Sequence, residues 1–96
     1  MVPTPSSVPV TRVQTGVRIE KRILKVAKGL AEYLDMSLGD LLEGVLLHAF
    51  EGKQPFSEET IERISILKEL YGLDLTAADA HRFPDEVETL PGPAAE

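Results

Sequence analysis

The sequence predicts a mainly α-helical protein in which one short β-strand precedes the helices and pairs with the same strand of a second copy. Residues 13–19 alternate between apolar or β-branched side chains and other types, which is the period of a strand. From residue 20 onward the apolar residues recur at helical spacing, and no second alternating segment follows. Because a lone strand leaves its backbone unpaired, we expect a homodimer joined by an antiparallel two-stranded ribbon.

The alternation divides the side chains of this strand between two faces. Its polar face presents Gln14, Gly16 and Arg18. Its apolar face is expected to form the dimer core together with side chains of the second helix, and the predicted core residues are Val13, Thr15, Val17, Ile19, Leu42, Val45 and Leu46.

Two helices are predicted to follow the strand. The first begins at Glu20 or Lys21 and is broken at residues 35–36; its apolar stripe is Ile23, Ala27, Leu30 and Leu34. Ser37 is an N-cap candidate for the second helix, which starts at Leu38 and stops near Gly52. Apolar residues cover more than one stripe of this second helix, so we expect it to be the more buried of the two.

The C-terminal half predicts one long and one short helix. Ser57 caps the long helix, which ends at Gly72, and Thr76 opens a short helix that Pro84 terminates. We therefore divide the chain into a flexible arm, a unit of one strand and two helices, a helical extension and a disordered acidic tail, at residues 1–11, 12–52, 53–84 and 85–96.

Charge is distributed unevenly along the chain. The net charge is −6, yet residues 1–50 carry six basic and five acidic side chains, and all six bases lie between residues 12 and 28. Residues 51–96 carry four basic and eleven acidic side chains. This asymmetry indicates a basic working surface and a separate acidic portion.

Several functional classes find no support in the sequence. There is no cysteine, no metal-ligand spacing around the two histidines, no glycine-rich phosphate loop and no nucleophile with a base beside it. We expect no enzymatic activity, no cofactor and no metal. No apolar run approaches a membrane span, so we expect a cytoplasmic protein without a membrane partner.

The order of strand, helix, turn and helix over residues 12–52 resembles the ribbon-helix-helix family of DNA-binding proteins. The resemblance is carried by Arg18-Ile19, Leu30-Ala31-Glu32 with Leu34, Met36-Ser37, and Asp40-Leu41-Leu42 with Val45 and Phe50. It implies a β-ribbon in the major groove, a sequence-specific dimeric repressor or other transcriptional regulator of bacteria, and association with the nucleoid when bound to DNA.

The resemblance also implies which residues contact DNA. Arg18 suits guanine and Gln14 suits adenine, with Arg12 as a further base-reading candidate. Gly16 occupies the base-reading position between them, where it departs from the family pattern of a polar reading side chain. Phosphates would be held by the backbone at the start of the second helix, at Ser37, Leu38 and Gly39. Further phosphate contacts would come from basic side chains of the first helix, namely Lys21, Arg22, Lys25 and Lys28.

Two other functions remain open at this point. The chain could be an antitoxin, with residues 57–83 binding a toxin. Alternatively, residues 30–45 could form a helix-turn-helix DNA binder, although the alternation at residues 13–19 argues against it because that motif needs no strand.

Overall fold

The computed structural model describes residues 8–84, which form three α-helices and one short 3-10 helix. The order is α1 (Lys21–Leu34), α2 (Leu38–Phe50), α3 (Glu58–Tyr71) and a 3-10 turn at Ala77–Asp79. The predicted arm lies mostly, and the predicted acidic tail entirely, outside the described residues. The mainly α class and the bounds of the three long helices are confirmed.

Capping residues account for where the helices begin and end. Ser37 and Ser57 cap α2 and α3, because each side chain accepts a hydrogen bond from the backbone N–H three residues on. The C-cap residues that follow α1 and α3 are Asp35 and Gly72, both in the left-handed conformation with φ of 64° and 68°. The predicted last helix is wrong in extent, because only one 3-10 turn forms.

Helix α1 lies at the centre of the packing and contacts both α2 and α3. Its residues Leu30 and Ala31 join Leu41 of α2 in the buried core. Gly29 lets α3 come close, since a Cβ at this position would lie 3.0 Å from Leu67 Cδ2. The buried hydrophobic residues of the described chain are Val26, Leu30, Ala31 and Leu41.

The expectation that α2 is the more buried helix is wrong for the single chain. Leu41 is its one buried residue, whereas α1 has three. The apolar composition of α2 instead produces an exposed stripe, because Leu42, Leu46 and Phe50 point away from the core formed by Leu41.

The predicted strand at residues 13–19 is also wrong. Within residues 8–84 no strand is present, and no described backbone hydrogen bond joins residues 8–19 to another segment. The two-stranded ribbon and the β-α-α fold class are therefore overturned. Alternating side chains establish which residues would share a face, but a strand also needs a paired backbone, and this segment has none among the described residues.

Candidate nucleic-acid interface

The N-terminal segment, defined as residues 8–19, precedes α1 and is exposed along its whole length. The predicted base-reading residues Gln14, Gly16 and Arg18 all lie in it and are exposed. A Cβ added to Gly16 would meet no atom within 4 Å, so open space surrounds this position. The segment thus offers polar side chains to solvent immediately before the first turn of α1.

Arg12 contacts two carboxylates of α2. Its Nε donates to Glu43 Oε2 at 2.9 Å, and its Nη2 donates to Glu43 Oε1 at 2.7 Å and to Asp40 Oδ1 at 2.9 Å. The contact with Glu43 is bidentate, which is the strongest geometry for a guanidinium and a carboxylate. Asp40 and Glu43 are three residues apart and therefore lie on one face of the helix. We call this set of three residues the Arg12 clamp.

The clamp stabilises the charged forms of Arg12 and Glu43. The hydrogen bond to Glu43 and the charges of Glu43 and Asp40 raise the pKa of Arg12. The same hydrogen bond lowers the pKa of Glu43, against a smaller opposing effect of desolvation. All three side chains stay largely open to solvent, at 62% for Arg12, 50% for Asp40 and 49% for Glu43.

Arg22 joins the start of α1 to the end of α3. Its Nε donates to Glu20 Oε2 at 3.0 Å, while its Nη1 donates to Gly72 O at 3.1 Å and to Asp74 Oδ1 at 3.0 Å. Glu20 also caps α1 by accepting from the N–H groups of Arg22 and Ile23. This predicted phosphate ligand is thus engaged in holding α1 and α3 together.

The lysines predicted to contact phosphate lie on α1 and are exposed. Lys21, Lys25 and Lys28 follow the N-terminal segment on the first two turns of the helix. Lys25 Nζ stands 5.6 Å from the ring centroid of Tyr71, a cation–π distance that still leaves the amine in solvent. These exposed amines follow the N-terminal segment directly in the chain and continue its positive charge, with the half-buried Arg22 among them.

The predicted phosphate site at the start of α2 carries carboxylates of its own. Ser37 is confirmed as the N-cap, accepting from Asp40 N at 3.1 Å. Leu38 and Gly39 form the first turn with Asp40, whose carboxylate is favourable beside the positive end of the helix dipole. An incoming phosphate would therefore meet Asp40 and its partner Arg12 together.

The predicted dimer-core residues are mostly exposed in the single chain. Val13 and Val17 are 80% and 72% exposed, and Leu46 is 51% exposed. Val45 is half-buried and packs against the core. The remaining members, Thr15, Ile19 and Leu42, are exposed.

Sequence reasoning missed the acidic partners of the basic segment. The unrecognised ion-pair partners are Asp40, Glu43, Glu20 and Asp74. Two of the contacts join residues far apart in the chain, since Arg12 and Glu43 are 31 positions apart and Arg22 and Asp74 are 52 positions apart. One signal was available, since Asp40 and Glu43 form an acidic pair on one face of a helix that contains no lysine or arginine.

No family model, no curated protein and no solved structure matches this chain. In residues 8–84 no three histidine, cysteine, aspartate or glutamate side chains are grouped so as to hold a metal ion. None of the helices in this described part has the length and apolar character to cross a membrane.

Proposed function

We propose that the protein is a sequence-specific DNA-binding protein that works as a homodimer and regulates transcription in the bacterial cytoplasm. The observation that carries the proposal is the positive stretch from Arg12 to Lys28, whose basic side chains are exposed except at the half-buried Arg22. Six basic side chains and a single acid, Glu20, lie within it. Its first part has no regular secondary structure and is exposed, and its second part is the exposed lysine face of α1.

Such a stretch suits DNA because phosphate contacts dominate affinity, and an exposed segment outside the helices can bring polar side chains to base edges. Arg18 can donate two hydrogen bonds to guanine, and the amide of Gln14 can pair with adenine. The lysines of α1 lie next in the chain and would supply phosphate contacts beside them. The overall acidity of the protein does not oppose this, because its acidic excess lies in residues 51–96.

The proposed homodimer is supported by the exposed apolar stripe of α2. Leu42, Leu46 and Phe50 are 36%, 51% and 76% exposed, and their spacing of four residues places them on one helix face. A domain this small buries few residues by itself, so covering the stripe with a second copy would add the burial that the single chain lacks. A two-fold pair would also match a palindromic operator.

The two other functions have no separate observation in their favour. In a helix-turn-helix, α2 would enter the groove, yet α2 contains Asp40 and Glu43 and no lysine or arginine. For an antitoxin, residues 57–83 would hold a toxin, yet α3 packs against α1 within the same chain. A selection of bound sequences from random DNA, followed by titration of the selected duplex, separates these possibilities.

The decisive comparison uses Arg18→Ala and Gln14→Ala on the selected duplex. Each substitution is expected to weaken specific binding by about fivefold to a hundredfold, which is the usual loss when a bidentate base contact is removed. Binding to random duplex should change much less for Gln14→Ala, since an amide contributes no counterion release. Unchanged specific affinity in both variants would refute the assignment of base reading to this segment.

Sedimentation tests the dimer. Leu46→Gln with Phe50→Ser is expected to shift the protein from dimer to monomer at micromolar concentration. The matched control is Leu70→Gln, because Leu70 is also 68% exposed but lies on α3. A wild-type protein that sediments as a monomer at this concentration would overturn the homodimer.

A further inference from the structure

In the Arg12 clamp, the first basic residue of the positive stretch forms ion pairs with two carboxylates of α2. Arg12 lies only two residues before Gln14, so the clamp ties the N-terminal segment to the first two turns of α2. Three hydrogen bonds make this connection, and they leave Arg12 from two of its nitrogens. The clamp therefore connects the segment to α2 at Arg12.

The clamp resembles a guanidinium–phosphate contact in its chemistry. Arginine binds phosphate and carboxylate through the same planar fork of N–H donors. Glu43 presents two oxygens to that fork, and Asp40 presents a third, at distances of 2.7–2.9 Å. Two carboxylates on one helix face thus supply the negative charge that a DNA phosphate would supply.

We propose that Asp40 and Glu43 occupy Arg12 in the free protein in place of a DNA phosphate, so that the clamp is an autoinhibitory contact that DNA binding opens. The inference rests on the proposed DNA-binding function. The contact can open readily, because about half of each carboxylate side chain is exposed and exposed ion pairs are weak. A DNA duplex offers a dense row of phosphates, and release of its counterions favours the exchange.

The consequence of the clamp is weaker binding to DNA of every sequence. The free energy needed to open it lowers the affinity for operator and random duplex by the same factor, so the ratio of the two affinities is unchanged. Binding to random DNA, which lacks the base contacts of Gln14 and Arg18, is thereby brought to a low level while the operator is still bound. The clamp also holds the segment near α2 until DNA is present.

The first experiment examines the free protein by NMR. In wild type, the Arg12 Nε–H should give a protected side-chain signal, and residues 12–19 should have restricted backbone motion. In the double variant D40N/E43Q, which removes both charges and keeps the side-chain shapes, the signal should broaden and the motion increase. Identical relaxation of residues 12–19 in both proteins would overturn the clamp.

The second experiment titrates a random-sequence duplex of 20 base pairs by fluorescence anisotropy. At ~50 mM salt, D40N/E43Q should bind about three- to tenfold tighter than wild type, in keeping with the loss of two exposed ion pairs. The gain should shrink as salt rises, because salt itself opens the clamp. The matched control is E32Q/E69Q, which removes two exposed acids that take no part in the ion pairs of Arg12 or Arg22.

A cycle with Arg12→Gln assigns the effect to the clamp. The affinity of R12Q/D40N/E43Q for the random duplex should exceed that of R12Q only by the factor seen for the E32Q/E69Q control. Thermal melts should verify that each variant is folded. If the gain survives without Arg12, the effect is general electrostatics and the clamp proposal is overturned while DNA binding stands. If neither wild type nor D40N/E43Q binds duplex at low salt, the DNA-binding function fails, and the proposed phosphate exchange fails with it.

Discussion

Replacing Leu41 with alanine tests the position of α2 on α1. Leu41 is 5% exposed and packs in one cluster with Leu30 and Ala31. Leu→Ala changes in a core cost about 2–5 kcal/mol, the amount depending on how far the site can close. This site lies beside an open groove that reaches Phe56, so partial collapse is available and we expect about 2–3 kcal/mol. For a domain of this size that corresponds to a fall in Tm of roughly 10–20 °C.

Chemical denaturation with a circular dichroism readout measures the loss. The matched control is Leu47→Ala on the same helix, because Leu47 is 63% exposed and its truncation should change the free energy of unfolding by less than about 0.5 kcal/mol. The m-value should stay unchanged in both variants, since the surface exposed on unfolding is nearly the same. Equal losses for the two variants would mean that α2 is rotated about its axis, and the arrangement of the core would be refuted.

Three further predictions concern local contacts. Gly44→Ala should stabilise the protein by about 0.5–1 kcal/mol in denaturation, because a Cβ there meets no atom within 4 Å and glycine is unfavourable inside a helix; a loss would mean that another backbone packs at Gly44. Ser37→Ala should cost about 1 kcal/mol by removing the cap on Asp40 N, whereas Ser65→Ala, at an exposed position inside α3, should cost almost nothing. The pKa of Glu20 is lowered, because although desolvation opposes the charged form, hydrogen bonds from Ile23 and Arg22 outweigh it. Its contribution to stability is therefore present above pH 4.5 and is lost as pH falls through the lower folded-state pKa, so Glu20→Gln should flatten the acid side of the stability profile, and an unchanged profile would contradict this.

The helices could be predicted because their signals are local. Spacing of three and four residues located the apolar stripe of α1, and Ser37, Ser57 and Gly72 marked ends that the structure confirms. Each signal depends on residues within about one turn, where backbone hydrogen bonds and side-chain caps act. The predicted length of the last helix was too great, because the capping box of Thr76 and Asp79 marks where a helix begins but does not determine how far it continues.

The remaining features could not be predicted because they depend on distant residues. Alternation at residues 13–19 is a local pattern, but a strand requires a backbone partner that the sequence does not specify. The burial of α2 was overestimated, because the approach of α3 to Gly29 makes α1 the central helix. In the sequence, Arg12 and Arg22 were both interpreted as exposed basic residues available to DNA. In the structure each forms an ion pair with a carboxylate from a distant part of the chain.

The clamp and the apolar stripe share one helix, which links the proposed dimer to the proposed DNA contact. Arg12 ties the N-terminal segment to Asp40 and Glu43, while Leu46 and Phe50 lie exposed on later turns of α2. A pair of chains joined through this stripe would carry two basic segments at a fixed separation, and the second segment would bind as part of the same molecule.

Loss of the dimer should therefore weaken operator binding far more than loss of one contact. Leu46→Gln with Phe50→Ser should lower affinity for a palindromic duplex by at least tenfold, yet leave affinity for an isolated half-site within about twofold, because each chain keeps its own segment. Anisotropy titration of both duplexes measures this difference. Equal losses on the two duplexes would mean that the stripe supports the segment within one chain, and the connection between dimer and DNA contact would be refuted.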